Sequence, residues 1–189
     1  MNSDSEAVRH GYERDGVAGF YLRHAEDYRN PHEFSIRQLV EHAVRGWAMN
    51  VENVLDLAAG SGEITLALRD MPEALGGKIH GIDTLTYRAY EARTGQPAGR
   101  ESFEDIAAGA LRGQRYSLIV CSFAMHLLEP SRLPMLALEL SEISPALLIL
   151  TPHKRPVLQN GWGWRLTHET VEQRVRARLY NAVHRPCSD

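Results

Sequence analysis

The run Val54-Leu55-Asp56-Leu57-Ala58-Ala59-Gly60-Ser61-Gly62-Glu63 sets a carboxylate at the end of an apolar stretch and follows it with a turn of small residues. Glycine lets a backbone pass close to a ligand, and the first turn of a helix carries N–H groups without intrahelical partners. Strand, carboxylate, turn and helix in that order build a ligand cradle, with Asp56 directed into the crevice where open α/β sheets bind. A carboxylate lowers the energy of a facing ammonium or sulfonium and raises that of a facing pyrophosphate. Asp83 closes a second apolar run about 20 residues beyond the turn, where an acidic side chain meets ribose hydroxyls; a simple turn role is its alternative.

Histidines supply candidate acid–base chemistry. His126 follows Ser122-Phe123-Ala124-Met125 at the end of an apolar run, either as a base or pocket wall, or packed under the next helix. His153 and Lys154 stand at the end of another such run and could orient an anionic group, and His32 lies in the polar aromatic stretch Tyr28-Arg29-Asn30-Pro31-His32. Trp162 and Trp164 read as a substrate platform or as loop anchors. Cys121 and Cys187 have neither zinc nor redox-pair spacing, which suits a reduced intracellular protein, and no metal site is expected.

These residues need a scaffold. The sequence predicts helices at 17–27 and 33–47, interrupted by Asn30-Pro31, because a residue before proline avoids the helical region. Strands follow at 53–57, 78–82, 101–104, 117–123 and 146–151, separated by helical stretches at 63–69, 86–94, 106–111 and 131–143. Alternation of this kind argues for a doubly wound, mostly parallel sheet with helices on both faces. After a loop at 153–165, Val171 to Tyr180 alternates apolar and basic residues, which suits one edge strand, with a helix as the alternative.

The chain has 189 residues, 43% hydrophobic and 24% charged, enough for one domain with a substantial core. No apolar run is long enough for a membrane span, and the polar N-terminus suggests no leader, so a cytoplasmic location is expected. Net charge is −3, but residues 151–189 carry seven Lys/Arg and three Asp/Glu. That basic third could meet an anionic substrate, or form a solvated strand face with Arg on alternate positions.

A dinucleotide turn wants G-x-G-x-x-G, which here would fall on Ala58, Gly60 and Glu63, so the third glycine is missing. Instead Asp56-Leu57-Ala58-Ala59-Gly60-Ser61-Gly62 resembles the first motif of the class I (Rossmann-like) S-adenosylmethionine-dependent methyltransferases. The resemblance runs over 53–151. Gly81-Ile82-Asp83 is similar to the second motif, Glu104-Asp105-Ile106 to the third, Leu118 to Phe123 to the fourth, and Leu147 to Pro152 to the fifth strand. Ala25-Glu26-Asp27-Tyr28 resembles the helical segment that lies over the cofactor, with residues 1–47 as a helical cover on a single domain. Ala58 replaces the usual first glycine, a change an extended backbone tolerates, and Ser117 replaces a frequent aspartate. Only one strand is evident after the fifth, so a sheet shortened at its C-terminal edge is expected.

The resemblance implies S-adenosyl-L-methionine as cofactor, held by Tyr28, by Asp56, Ala58, Ala59, Gly60 and Gly62, by Asp83, Thr84 and Leu85, by Glu104, Asp105 and Ile106, and by Ser122 and Phe123. Asp105 could instead cap the short helix after it. The implied reaction is direct displacement of a methyl group, with His126, His153 and His32 as candidate bases. The acceptor is expected to be a small molecule, acidic groups included, with RNA and protein left open. A homodimer contact or a partner at the shortened edge is also expected. The alternatives are a catalytically silent scaffold or regulatory subunit of the same fold and, behind it, a nicotinamide-dependent oxidoreductase.

Overall fold

Three apolar runs become central strands of a sheet, with a fourth parallel strand at its edge. In the computed structural model, which describes residues 29–183, β1 (Asn53–Leu57), β2 (Lys78–Ile82), β3 (Leu118–Ser122) and β4 (Ala146–Thr151) lie parallel. β5 (Trp164–Glu172) and β6 (Val175–Ala182) complete a six-stranded sheet in the order β2-β1-β3-β4-β6-β5, with β6 antiparallel to both its neighbours. The doubly wound fold read from the sequence is the observed one.

Alternate side chains along each central strand feed two layers. Val54, Val120, Leu148 and Leu150 meet helix α1 (Glu33–Gly46) and helix α2 (Glu63–Arg69) on one face. In α1 the buried residues Ile36, Leu39, Val40, Ala43 and Val44 recur every three to four positions. Each larger one contributes ~1.5–3 kcal/mol by leaving water. Leu55, Ile119, Cys121, Leu147 and Ile149 face the other layer, built from helix α4 (Phe103–Ala107), helix α5 (Leu133–Ile143), Trp164 and Tyr180. Helix α3 (Tyr87–Thr94) follows β2 and inserts Tyr90 over Gly81.

Two expectations about the sheet edges are corrected. No strand forms at 101–104: only an isolated bridge joins Ile82 to Gly99, and Ser102 then caps α4 through a reciprocal box with Asp105. The C-terminal edge, expected short, carries a full hairpin. The single strand read at 171–180 divides at Gln173 and Arg174, whose φ values of 48° and 68° make a left-handed two-residue turn. The hairpin folds back onto α1, where Ser35 donates to Gln173 (2.9 Å) and His42 meets Glu172 (3.2 Å). Trp164 opens β5 as a buried anchor, its indole N–H donating to the Ala137 carbonyl at 2.7 Å.

Arginines of the basic third belong to this hairpin. Arg176 pairs with Glu169, and Arg178, 4% exposed, donates to the carbonyls of Pro156 (2.7 Å) and Lys154 (2.9 Å). Helix α1 covers a sheet face; of the expected cover at 1–47, residues 1–28 lie outside the described residues, and so do the expected helix at 17–27, Tyr28 itself and Cys187. Among the described residues no helix is long and apolar enough to cross a membrane.

Candidate functional site

A cleft with about 1060 Å³ of empty space, its open mouth included, lies at the C-terminal ends of β1, β2 and β3. Its floor is the small-residue turn. Ala58 and Gly60 adopt left-handed φ of 55° and 60°, so Ala58 is not extended as the sequence reading assumed. A non-glycine residue held there is strained, and such strain gathers at ligand sites. The Ala59 amide donates to the Ile82 carbonyl (2.9 Å), tying the turn to the end of β2.

Asp83 joins the same two elements with its side chain. One carboxylate oxygen accepts from the Gly60 amide (3.0 Å), and the other from the amides of Leu85 (2.8 Å) and Thr86 (2.6 Å). Thr86 returns a hydroxyl hydrogen bond to the Gly60 carbonyl (2.9 Å). Asp83, Thr84 and Leu85 therefore line the cleft beside Ala58, Ala59 and Gly60, as expected.

Asp56 does not reach it. The two-residue period of β1 turns Asp56 to the same face as Val54, under the turn, where it is fully buried. One oxygen accepts from the Thr65 amide (3.1 Å) and hydroxyl (2.8 Å), while the other has no partner. Burial pushes its pKa up to about 8; the Thr65 hydrogen bonds oppose the rise and the charge of Glu63 adds to it. Gly62, the N-cap of α2 with φ 89°, is buried against Tyr90 and Thr94 and is likewise not part of the lining.

Glu63, which the sequence reading passed over, does line the cleft. It accepts from the Ser61 amide (3.1 Å), the Ser61 hydroxyl (2.5 Å) and the Asn30 amide (3.0 Å), drawing Asn30 to the cleft wall. The helix N-terminus expected to offer free N–H groups is thus partly satisfied by the chain's own carboxylates. An anion cradle needs those amides open.

The third wall comes from the segment before α4. Glu101, Ser102, Phe103 and Glu104 line the cleft, whereas Asp105 is engaged as the Ser102 cap and Ile106 is buried in the core. Of the three residues expected here only Glu104 lines the cleft, and the wall extends three residues N-terminal to it. An acidic residue three positions after a serine was the available signal, since that spacing marks a capped helix start. Glu101 keeps one buried carboxylate oxygen without a partner.

Ser122 and Phe123 line the cleft at the end of β3, together with Ala124, Leu127 and Leu128. None of the three candidate histidines belongs to the lining. His32 stacks on Phe123 with ring centroids 5.0 Å apart. His126, in the short 3-10 turn Met125–Leu127, lies against His153 at 4.4 Å. Burial pushes the His126 pKa down to about 4, and the charge of His153 adds to that. The Cys121 thiol, buried behind this turn, is pushed up to about 12 by burial.

Charge sorts the ligands this cleft can hold. Glu63, Asp83, Glu101 and Glu104 line it, and no Lys, Arg or His does among the described residues. Arg93, close to Glu63, is held by Glu33 and Glu63. Arg132 likewise pairs with Glu104 (3.2 Å), and neither arginine belongs to the lining. A lining of four carboxylates fits a cationic nucleoside and opposes a pyrophosphate. Among the described residues no cluster of three or more His, Cys, Asp or Glu is placed to hold a metal ion.

Comparison with known proteins agrees with this fold. No known family model matches the chain. The uncharacterized protein C17A5.05c of Schizosaccharomyces pombe is 30% identical to it, over 88% of this chain and 89% of that protein. Among solved structures, magnesium protoporphyrin IX methyltransferase (ChlM) from Synechocystis PCC 6803 with bound SAM superposes with a TM-score of 0.56 at 15% identity, covering 95% of this chain and 96% of that one. A putative RNA methyltransferase, PH1948 of Pyrococcus horikoshii, gives 0.58 at 16% identity over 86% and 87% of the two chains. A protein described by the conversion of a disulfide bond into a thioacetal group during echinomycin biosynthesis gives 0.61 at 16% identity over 96% and 94%.

Proposed function

We propose, on the premise that the chain belongs to the family of the Schizosaccharomyces pombe protein C17A5.05c and carries the class I methyltransferase fold, that it is an S-adenosylmethionine-dependent methyltransferase. The observation that carries the reading is the cleft itself: a strained small-residue turn tied by Asp83 to the end of β2, with four carboxylates and no cation along the described walls.

The walls divide the cofactor between them. The backbone of Ala58, Ala59 and Gly60 allows close approach by the amino-acid end, with Glu63 and Asn30 beside it. Asp83 presents carboxylate oxygens for ribose hydroxyls, and the Glu101–Glu104 wall takes the base. When bound, the cofactor supplies an already activated methyl group on sulfonium. The chain's task is then alignment of acceptor, methyl carbon and sulfur. Ser122, Phe123 and Ala124 perform it from the end of β3. His32 braces Phe123, and the His126–His153 contact braces the turn after it. In this reading the three histidines are positioning residues, and residues 1–189 form one methyltransferase domain.

The scaffold alternative rests on the short chain and on an incomplete sheet edge, and the β5–β6 hairpin removes the second argument. A nicotinamide cofactor is opposed by the charge of the walls. Equilibrium dialysis with radiolabelled S-adenosylmethionine separates the proposal from the nicotinamide reading, and turnover separates it from a silent scaffold, which binds without reacting: saturable binding displaced by S-adenosylhomocysteine and indifferent to NADH supports the proposal. Displacement by NADH alone overturns it.

A further inference from the structure

The cleft has a second end. β3 lies on the opposite side of β1 from β2, so the lining that follows β3 is separate from the Asp83 wall. That end is made of Ser122, Phe123, Ala124, Leu127 and Leu128, with no charged side chain among them. Leu127, 38% exposed, adds apolar surface to this end. Phe123 is held at a left-handed φ of 55°, a costly backbone for an aromatic residue, while the His32 ring stacks on it. One polar atom interrupts this surface: the Ser122 hydroxyl, buried and without a hydrogen-bond partner. A buried hydroxyl left unpaired costs free energy that a ligand atom can recover.

We infer that the methyl acceptor is a small molecule with an apolar body and no anionic group, seated on Phe123, Ala124, Leu127 and Leu128, with one polar group hydrogen-bonded to the Ser122 hydroxyl. The inference rests on the methyltransferase reading and narrows it. An anionic acceptor would enter a cleft lined by four carboxylates, of which Glu63 and Glu104 are paired with Arg93 and Arg132, and no cation belongs to the described lining itself. Nucleic acid is opposed on the same ground, because phosphate contacts dominate its binding. The arginines of the basic C-terminal third do not alter this, since Arg176 and Arg178 are committed to Glu169 and to loop carbonyls.

Two toluene derivatives of one size test the inference on the full chain: p-cresol and p-toluate. Their affinities are measured by ligand-observed NMR with and without saturating S-adenosylhomocysteine. We expect p-cresol to bind at least about tenfold tighter than p-toluate, Ser122→Ala to weaken p-cresol about fivefold, and Leu127→Lys to turn the preference to p-toluate. Thermal melting verifies that each variant is folded, and the wild-type ranking decides the charge argument without them. Equal or tighter binding of p-toluate to the wild type, no saturable binding of p-cresol at its solubility limit, or indifference of p-cresol to both substitutions overturns the inference. If S-adenosylhomocysteine itself fails to bind, the methyltransferase reading fails, while the ranking in its absence still reports on this end of the cleft.

Discussion

Asp83 accepts a hydrogen bond from the Gly60 amide at 3.0 Å, so a side chain at the end of β2 fixes the backbone of the turn that leaves β1. Its other oxygen accepts from Leu85 and Thr86, which makes one carboxylate the joint of two cleft walls. Replacing it with alanine leaves three amides without their acceptor. We expect Asp83→Ala to cost about 1–3 kcal/mol of stability, the range for losing charge-assisted hydrogen bonds. Hydrogen exchange at Gly60, Leu85 and Thr86 should accelerate before exchange in the central strands does. Unchanged protection at Gly60 would contradict the joint.

Asp56 gives the fold a pH dependence of definite sign. Its folded pKa is raised to about 8 from an ordinary value of 3.8, chiefly by burial. Between those values the unfolded chain releases a proton that the folded chain retains, so this group's stabilising contribution is full below pH 3.8 and is lost as pH rises toward 8. In urea unfolding the stability of the wild type relative to Asp56→Asn should fall across that window, since His126 and the other titrating groups are common to both proteins. Parallel stability curves for the two proteins would contradict it.

Gly81 and Tyr90 share one space. A Cβ on Gly81 would overlap the Tyr90 ring, which is fully buried and whose hydroxyl lies 3.1 Å from the Thr65 hydroxyl. Gly81→Ala should destabilise by about 1–3 kcal/mol through overpacking. Combining it with Tyr90→Leu, which opens the same space, should recover part of that loss. A double-mutant cycle in chemical denaturation measures the coupling, and strictly additive effects would contradict direct contact.

His126 should stay neutral over most of the acid range. Its pKa is pushed down to about 4, first by burial and second by the charge of His153. The unfolded chain takes up a proton near pH 6.5 that the folded chain refuses, so stability from this group falls as pH drops from 6.5 toward 4. NMR titration of the His126 ring should show little movement between pH 8 and 5, and His153→Ala should raise its midpoint. A His126 midpoint near 6.5 in the wild type would contradict the burial of this contact.

Much of the scaffold is legible in the chain because its signals are local. Apolar runs give β1 and β4, the Gly76-Gly77 turn marks the start of β2, all three with the bounds observed, and the spacing of Ile36, Leu39, Val40 and Val44 gives α1. The hairpin turn is silent because Gln173 and Arg174 adopt left-handed backbone without glycine or asparagine. The segment at 101–104 misleads because a capped five-residue helix carries too few residues to show a period, although Ser102 and Asp105 announce its start. The side to which Asp56 points follows from strand alternation once its neighbours are known. Glu63, Asn30 and Glu101 were not legible as site residues, since their place depends on the approach of segments far apart in sequence.

Calorimetric titration of S-adenosylmethionine into the full chain, wild type beside Asp83→Ala, tests the central claim most directly. The account requires saturable one-site binding with a dissociation constant on the order of micromolar in the wild type, and weakening of about tenfold or more in Asp83→Ala. No saturable heat in the wild type at millimolar cofactor concentration, or equal affinity in the two proteins, would contradict it.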